Sequence, residues 1–333
     1  MARRTDKIAV AGAGRMGRGI AISFAWAGYP VTLVDSEERK PKDFVQLAAD
    51  TCAELASEAR SLADAGVISP AQADDVAGRI DVVSRADAGA ILAAADFVFE
   101  AVAEVVDVKR DTYAWLGSET GDATVLASTT STMLSDTLAG FVANPGRFTN
   151  AHWLNPAYLM PLVEISPAAA TRDDVVAALR ELLEHIGKVP VVCRASPGYI
   201  VSRIQALVLN EAARLVDEGV ASAADVDRAM RTGFGTRYAI FGPLEFVDWG
   251  GGDILYFASN YLGEMIDATR FSPPDVVRRN MDEGRNGMRE GIGFYDWRER
   301  DLDAYRAERL ARFAGLLGHL DLLPQSAEST HDD

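Results

Sequence analysis

"KIAVAGAGRMGRGIA" (residues 7–21) sets three glycines, Gly12, Gly14 and Gly17, between an apolar run and the start of a helical pattern. How this stretch is read decides the fold. The apolar run has the length of a buried strand, and apolar positions recur at helical spacing from Met16 to Trp26. Gly12 permits a tight turn, Gly14 lets a ligand approach the backbone, and Gly17 lets the helix close on the strand. A second apolar run, PVTLVD at 30–35, completes a β-α-β unit and so implies a parallel sheet.

Outward from this unit the alternation continues. Short apolar runs at 80–84, 95–102, 123–128, 147–152 and 189–194 are separated mostly by helical patterns. This predicts an α/β fold, a doubly wound Rossmann-type N-terminal domain over residues 1–194. From Ser196-Pro197 the pattern is helical, with Gly219 as a stop and Ser222 as the cap of a further helix. Residues 195–322 read as a separate all-helical C-terminal domain, and the polar tail 323–333 as disordered.

Composition bounds the chemistry. The chain has 333 residues, 48% of them hydrophobic, enough for two cores, and no run approaches the roughly 18 apolar residues of a membrane span. Thirty-three basic against 49 acidic residues give a formal charge of −16, which disfavours nucleic acid and anionic membranes as partners. The two cysteines, Cys52 and Cys193, fit no disulfide framework, and neither they nor the four histidines have metal-ligand spacing. MARRTDK runs straight into the first strand rather than into a secretory segment. A cytoplasmic chain with reduced thiols, no metal and a small-molecule ligand is the expectation.

An acidic chain that binds an anion must do so with backbone. Free amides and the dipole at the helix that starts beyond Gly14 suit a pyrophosphate. Asp35 closes the second strand, where a carboxylate accepts from both ribose hydroxyls and repels a 2′-phosphate. The pattern therefore predicts NAD, held by Gly12, Gly14, Arg15, Met16, Gly17 and Asp35; Arg39 nearby is the one feature that favours NADP.

Several stretches, in order along nearly the whole chain, resemble the L-3-hydroxyacyl-CoA dehydrogenase family. They are the glycine motif, DFVFEAVAEVVDVKR (96–110), ASTTSTM (127–133), HWLNPAYLMPLVEI (152–165), SPGYIVSRI (196–204) and GIGFYDW (291–297). The resemblance implies a dimer formed through the helical domain and an active site served by both domains. It makes His152 the catalytic base, Glu164 its carboxylate partner and Ser131 a substrate contact. It places Glu104 and Lys109 at the nicotinamide end of the cofactor groove, and it adds Asn155 and Ser202 to the substrate contacts.

The chemistry fits those residue types. Oxidising a secondary alcohol removes a hydroxyl proton while hydride leaves the same carbon, and an imidazole with a pKa near 6.5 can take that proton at neutral pH. The imidazolium needs a counter-charge and a fixed acceptor, which a carboxylate supplies. His152 and Glu164 are equidistant from Tyr158, so a chain reversal after Asn155 brings them together. The bland alternatives are a core histidine, a capping serine and a solvated Glu104–Lys109 pair.

The sequence departs from the family at Thr129 and Ser202, where the family carries Asn, and at Pro161, where it carries Lys. Residues 50–79, the counterpart of a helical arm that contacts coenzyme A, offer Arg60 and Arg79 against six acidic residues. GFGTRYAIFGPLE (233–245) resembles the L-gulonate and carnitine dehydrogenase branch, where Arg237 would take a substrate carboxylate. The expected reaction is NAD-dependent oxidation of a short-chain L-3-hydroxyacyl-CoA, with a free 3-hydroxy acid as the alternative. A non-catalytic NAD-binding protein of the same fold is the alternative outside enzymes, and an intact His152–Glu164 pair argues against it.

Overall fold

Eight strands lie side by side in the order β3-β2-β1-β4-β5-β6-β7-β8 in the computed structural model, which describes residues 5–323. The chain forms two compact units, one up to Val208 and one from Leu209. The sequence boundary at 194/195 falls earlier. Tyr199, Ile200 and Val201 are tied to the first unit by hydrogen bonds to Met133 and Glu164 that the sequence pattern does not reveal.

In the first unit the strands are β1 (Ile8–Ala11), β2 (Val31–Asp35), β3 (Ile80–Ser84), β4 (Phe97–Glu100), β5 (Val125–Ser128), β6 (Phe148–Trp153), β7 (Leu162–Pro167) and β8 (Val189–Val192). Every neighbouring pair is parallel except β6 and β7. The chain leaves β1 for β2 on one side and returns to β4 on the other. Their carboxyl ends therefore flank the topological switch point where doubly wound sheets bind ligands. The doubly wound expectation is met, and the antiparallel β6–β7 hairpin is an addition to it.

The helices of this unit are α1 (Arg15–Trp26), α2 (Pro41–Asp64), α3 (Pro70–Gly78), α4 (Gly89–Ala93), α5 (Val106–Glu119), α6 (Ser135–Ala139), α7 (Asp173–His185) and α8 (Val201–Asp217), the last crossing the division between units. The central strands are buried along their length, as a sheet covered on both faces requires. On one face Ile20, Ile22 and Phe24 of α1 pack with Phe99, Trp153 and Ile165; on the other Tyr113 and Leu116 of α5 pack with Val98, Leu126 and Phe148. Each such side chain, fully buried, contributes about 1.5–3 kcal/mol.

The second unit has no named strand among the described residues. Its longer helices are Gly252–Met265 and Leu302–His319, and a wider π-type turn spans Met230–Gly235. Gly219 stops the preceding helix with φ +70°, and the Ser222 side chain accepts from the Asp225 amide, as the sequence predicts. The stretch GIGFYDW closes as a loop on Asp248, which is buried. Its carboxylate accepts from the amides of Phe294 (2.9 Å) and Tyr295 (2.8 Å) and from the Trp297 indole (2.8 Å). No helix among the described residues is long and apolar enough to cross a membrane. Residues 324–333, nearly all of the tail expected to be disordered, lie outside the described residues.

Candidate active site

The dinucleotide turn is built by exclusion. Gly12 has φ +116°, and a Cβ there would lie 2.6 Å from the Ala101 carbonyl oxygen. A Cβ on Gly17 would overlap the Gly12 carbonyl oxygen, whereas one on Gly14 would meet nothing within 4 Å. Two glycines thus let the backbone close on itself, and the third faces open space at the N-terminus of α1, which has no side-chain cap. That cradle fits a pyrophosphate. At the end of β2, Asp35 is buried with Arg39 bonded to it at 2.7 Å and to Glu37 at 2.8 Å. Arg39 is committed to two carboxylates, which favours NAD over its 2′-phosphorylated relative.

The pair singled out by the sequence sits on one hairpin. His152 of β6 and Glu164 of β7 are register partners, and His152 Nδ1 lies 2.7 Å from Glu164 Oε2. Glu164 is fully buried and His152 nearly so. The other carboxylate oxygen, Oε1, accepts from the amides of Ile200 (2.9 Å) and Val201 (3.0 Å) at the start of α8. Burial alone would raise the Glu164 pKa. The His152 hydrogen bond and the Val201 and Ile200 amides outweigh burial and hold the carboxyl below its usual range.

The sequence pattern predicts a helix from Ser196-Pro197, but α8 begins at Val201. The reason is geometric. Gly198 and Tyr199 both take positive φ, +73° and +47°, and this left-handed turn precedes the two amides that reach Glu164. Tyr199 is buried, its ring 5.8 Å from that of His152, and its hydroxyl donates to the Met133 carbonyl at 2.6 Å.

A cavity of about 400 Å³ opens beside this pair. His152, Ser131, Asn155 and Ser202 line it, together with Arg15, Met16, Glu104 and Thr129. Substrate and cofactor candidates therefore share one hollow. The Asn-to-Thr and Asn-to-Ser departures at Thr129 and Ser202 both fall on its wall. Lys109 does not. It is fully buried, 2.8 Å from Glu100 and 3.3 Å from Glu104, so the picture of a solvated charge pair does not hold. Sequence reading missed Glu100, a buried carboxylate that also accepts from Tyr113 and Ser128, both at 2.7 Å. A charged residue closing an apolar strand, as in DFVFE, is the signal that could have found it. Arg237 lies in the second unit, its guanidinium 4.6 Å from the centre of the Phe246 ring.

Comparison with known proteins matches the 3-hydroxyacyl-CoA dehydrogenase NAD-binding domain to residues 7–196 and the C-terminal domain of the same enzymes to residues 198–297. The chain belongs to the 3-hydroxyacyl-CoA dehydrogenase family. It is 32% identical over 295 residues to the mitochondrial hydroxyacyl-coenzyme A dehydrogenase of Sus scrofa, covering 87% of this chain and 91% of that one. It is 29% identical over 311 residues to a 5-formyl-3-hydroxy-2-methylpyridine 4-carboxylate 5-dehydrogenase of Mesorhizobium japonicum, covering 93% and 96%. A crystal structure of a 3-hydroxyacyl-CoA dehydrogenase from Archaeoglobus fulgidus superposes with a TM-score of 0.73 at 31% identity, covering 96% of this chain and all of that one. The protein is accordingly an oxidoreductase of the 3-hydroxyacyl-CoA dehydrogenase type, with an NAD-binding domain, acting on CH–OH.

Proposed function

We propose that this dehydrogenase interconverts a short-chain L-3-hydroxyacyl-CoA and its 3-ketoacyl-CoA, with His152 as general base. The reading is carried by the His152–Glu164 pair, whose 2.7 Å bond occupies Nδ1 and so leaves Nε2 as the ring's proton acceptor. Glu164 fixes that tautomer and offsets the charge of the imidazolium. The Ser131 hydroxyl donates to the substrate oxygen, and Asn155 and Ser202 orient the carbon that reacts. NAD, held by the Gly12–Gly17 turn and Asp35, supplies the hydride acceptor. Glu104 borders the hollow, and Lys109 serves it from behind.

A free hydroxy acid is the second reading, favoured by two observations. The Mesorhizobium relative is named for a pyridine carboxylate. On the α2–α3 arm Arg79 is paired with Asp75, and Arg18 of α1 is paired with the arm's Glu54 and Glu58, which leaves little positive charge for a polyphosphorylated carrier. In that reading Arg237 takes the substrate carboxylate. Following NADH absorbance with 3-hydroxybutyryl-CoA, L-gulonate and carnitine in parallel separates the two. Turnover of the thioester alone supports the first, turnover of a free acid alone supports the second, and inactivity on all three removes both.

The protomer forms a homodimer in this proposal. Ile254, Phe257, Tyr261 and Met265 of one helix are each about 60–66% exposed along one face, an apolar stripe that a second copy would cover. Sedimentation as a concentration-independent monomer would remove it. A reducing, cytoplasmic setting accords with the unpaired Cys52 and Cys193.

A further inference from the structure

A second cavity, of about 580 Å³, lies between α1, α7 and the turn that joins β6 to β7. Ser23 and Trp26 of α1, Tyr158 and Leu159 of the turn, and His185 at the end of α7 line it, with Lys188 beside them. Its volume falls within the range of small-molecule sites, roughly 300–1,000 Å³. It shares no lining residue with the hollow that holds Ser131 and His152. The reaction proposed above makes no use of it.

What sets this cavity apart is a charge without a counter-charge. Lys188 is 8% exposed, and its ammonium donates to the carbonyls of Ala157 (2.6 Å) and Met160 (2.9 Å). An ammonium has three donors, so one N–H is left without an acceptor among the described residues. No described carboxylate pairs with it either, and burial alone lowers its pKa. Buried lysines are ordinarily paired, because an ion taken out of water is costly when nothing opposes its charge. Glu58, the carboxylate that acts on Tyr158, is held by Arg18 at 3.5 Å. The end of α7 is capped in the same region. The carbonyls of Leu182, Leu183 and Glu184 accept from the amides of Ile186, Lys188 and Gly187, which mutes the negative end of that helix. The local field therefore favours an anion, although the chain as a whole carries a formal −16.

We propose that this cavity binds a small organic carboxylate with a flat apolar body, the carboxylate on the Lys188 ammonium and the body against Trp26 and Tyr158, at a site separate from the catalytic hollow. A carboxylate supplies the missing acceptor and the opposing charge together. The half-buried rings of Trp26 and Tyr158, with Leu159 and Ile186, give the apolar surface that a flat body covers. A single buried cation suits one negative charge better than a polyphosphate. Occupancy also steadies the turn, because Lys188 already holds Ala157 and Met160, and that turn runs from His152 to Glu164. The site stands whether or not His152 oxidises a thioester.

The full chain and 2-naphthoate test it, with 2-naphthamide as an uncharged control of the same shape. Isothermal titration should give a Kd for naphthoate of about 0.1–1 mM, and binding of the amide at least about tenfold weaker. At about ten times its Kd, naphthoate should raise the Tm by roughly 2–4 °C. Lys188→Gln should weaken naphthoate at least about tenfold, and Trp26→Ala, which leaves the charge in place, about three- to tenfold. Saturating NADH or 3-hydroxybutyryl-CoA should leave the naphthoate Kd within about twofold, as expected of separate sites. An amide that binds as tightly as the acid overturns the proposal, as does unchanged affinity in Lys188→Gln or Trp26→Ala. Should Lys188→Gln fail to fold, the amide control and Trp26→Ala decide. Displacement of naphthoate by NADH or by the thioester also overturns it, since the anion would then share a site with cofactor or substrate. Neither heat nor a Tm shift up to about 10 mM naphthoate ends it outright.

Discussion

His152 and Glu164 face each other across an antiparallel pair, and the carboxylate that binds the imidazole at 2.7 Å also receives two amides from the start of α8. One buried side chain thus serves the base and a backbone turn. The two jobs separate in variants. His152→Gln should lower kcat about 10²- to 10⁴-fold with the melting temperature little changed. Glu164→Gln keeps an acceptor for the amides, so its loss should also be mainly in kcat. Glu164→Ala leaves Ile200 and Val201 without that acceptor and should in addition cost about 2–4 kcal/mol of stability. Steady-state kinetics beside denaturant melts check this, and a fully active His152→Gln protein would end the assignment.

The glycine turn yields a second contrast. Gly17→Ala forces a Cβ onto the Gly12 carbonyl, so it should destabilise the first unit by several kcal/mol, of the order seen for severe overpacking. Gly14→Ala meets nothing within 4 Å and has an ordinary extended backbone, φ −73° and ψ −177°. It should melt like the wild type and bind NADH at least about tenfold more weakly, because the added methyl fills the place of the phosphates. Equal NADH affinity in Gly14→Ala, measured by fluorescence titration, contradicts the cradle.

Cofactor choice follows from Asp35 and Arg39. Arg39 is held by Asp35 and Glu37, so Asp35→Ser removes an anion and frees a guanidinium together. Relative to wild type, the ratio of kcat/KM for NADP over NAD should rise by about tenfold or more, the scale of one charge-assisted hydrogen bond. An unchanged ratio would mean that the ribose is read elsewhere.

How much of this was legible in the sequence depends on whether the signal is local. Gly12, Gly14 and Gly17 announce the turn because the three fall within six residues directly after a strand, and the constraint on Gly17, the Gly12 carbonyl, is itself local. The hairpin of His152 and Glu164 is legible from symmetry about Tyr158, since an antiparallel ladder conserves spacing from its turn. The α8 start is not. Ser196-Pro197 has every local mark of a helix opening, yet Glu164, more than thirty residues away in sequence, binds amides that lie beyond a left-handed turn. Lys109 shows the same limit. Its sequence spacing suits a solvated pair, and only its position over the ends of β4 and β5 makes it a buried strut. GIGFYDW, one of the stretches that carry the family resemblance, proves to be a loop folded on Asp248 and speaks first for packing.

A final expectation concerns Lys188, which precedes β8 and which the sequence reading left aside. It is buried, and its ammonium donates to the carbonyls of Ala157 (2.6 Å) and Met160 (2.9 Å) and lies 5.4 Å from the Trp153 ring centre. Those carbonyls belong to the turn that joins β6 to β7, so the clamp supports the register of His152 and Glu164. Burial pushes the Lys188 pKa down to about 8 from 10.5. Below pH 8 folded and unfolded chains both carry the proton, and the cost of burying it is fully present. Between pH 8 and 10.5 the folded chain sheds a proton that the unfolded chain keeps, so this residue's contribution to stability rises with pH. The stability of the wild type minus that of Lys188→Met should therefore grow by roughly 1–3 kcal/mol across that window, with 1.36 kcal/mol per pKa unit as the ceiling rate. Taking the difference cancels the tyrosines and cysteines that titrate in the same range. Urea melts at pH 7.5, 9 and 10.5 measure it, and a gap that stays flat would show that the lysine keeps its proton and that burial does not govern it.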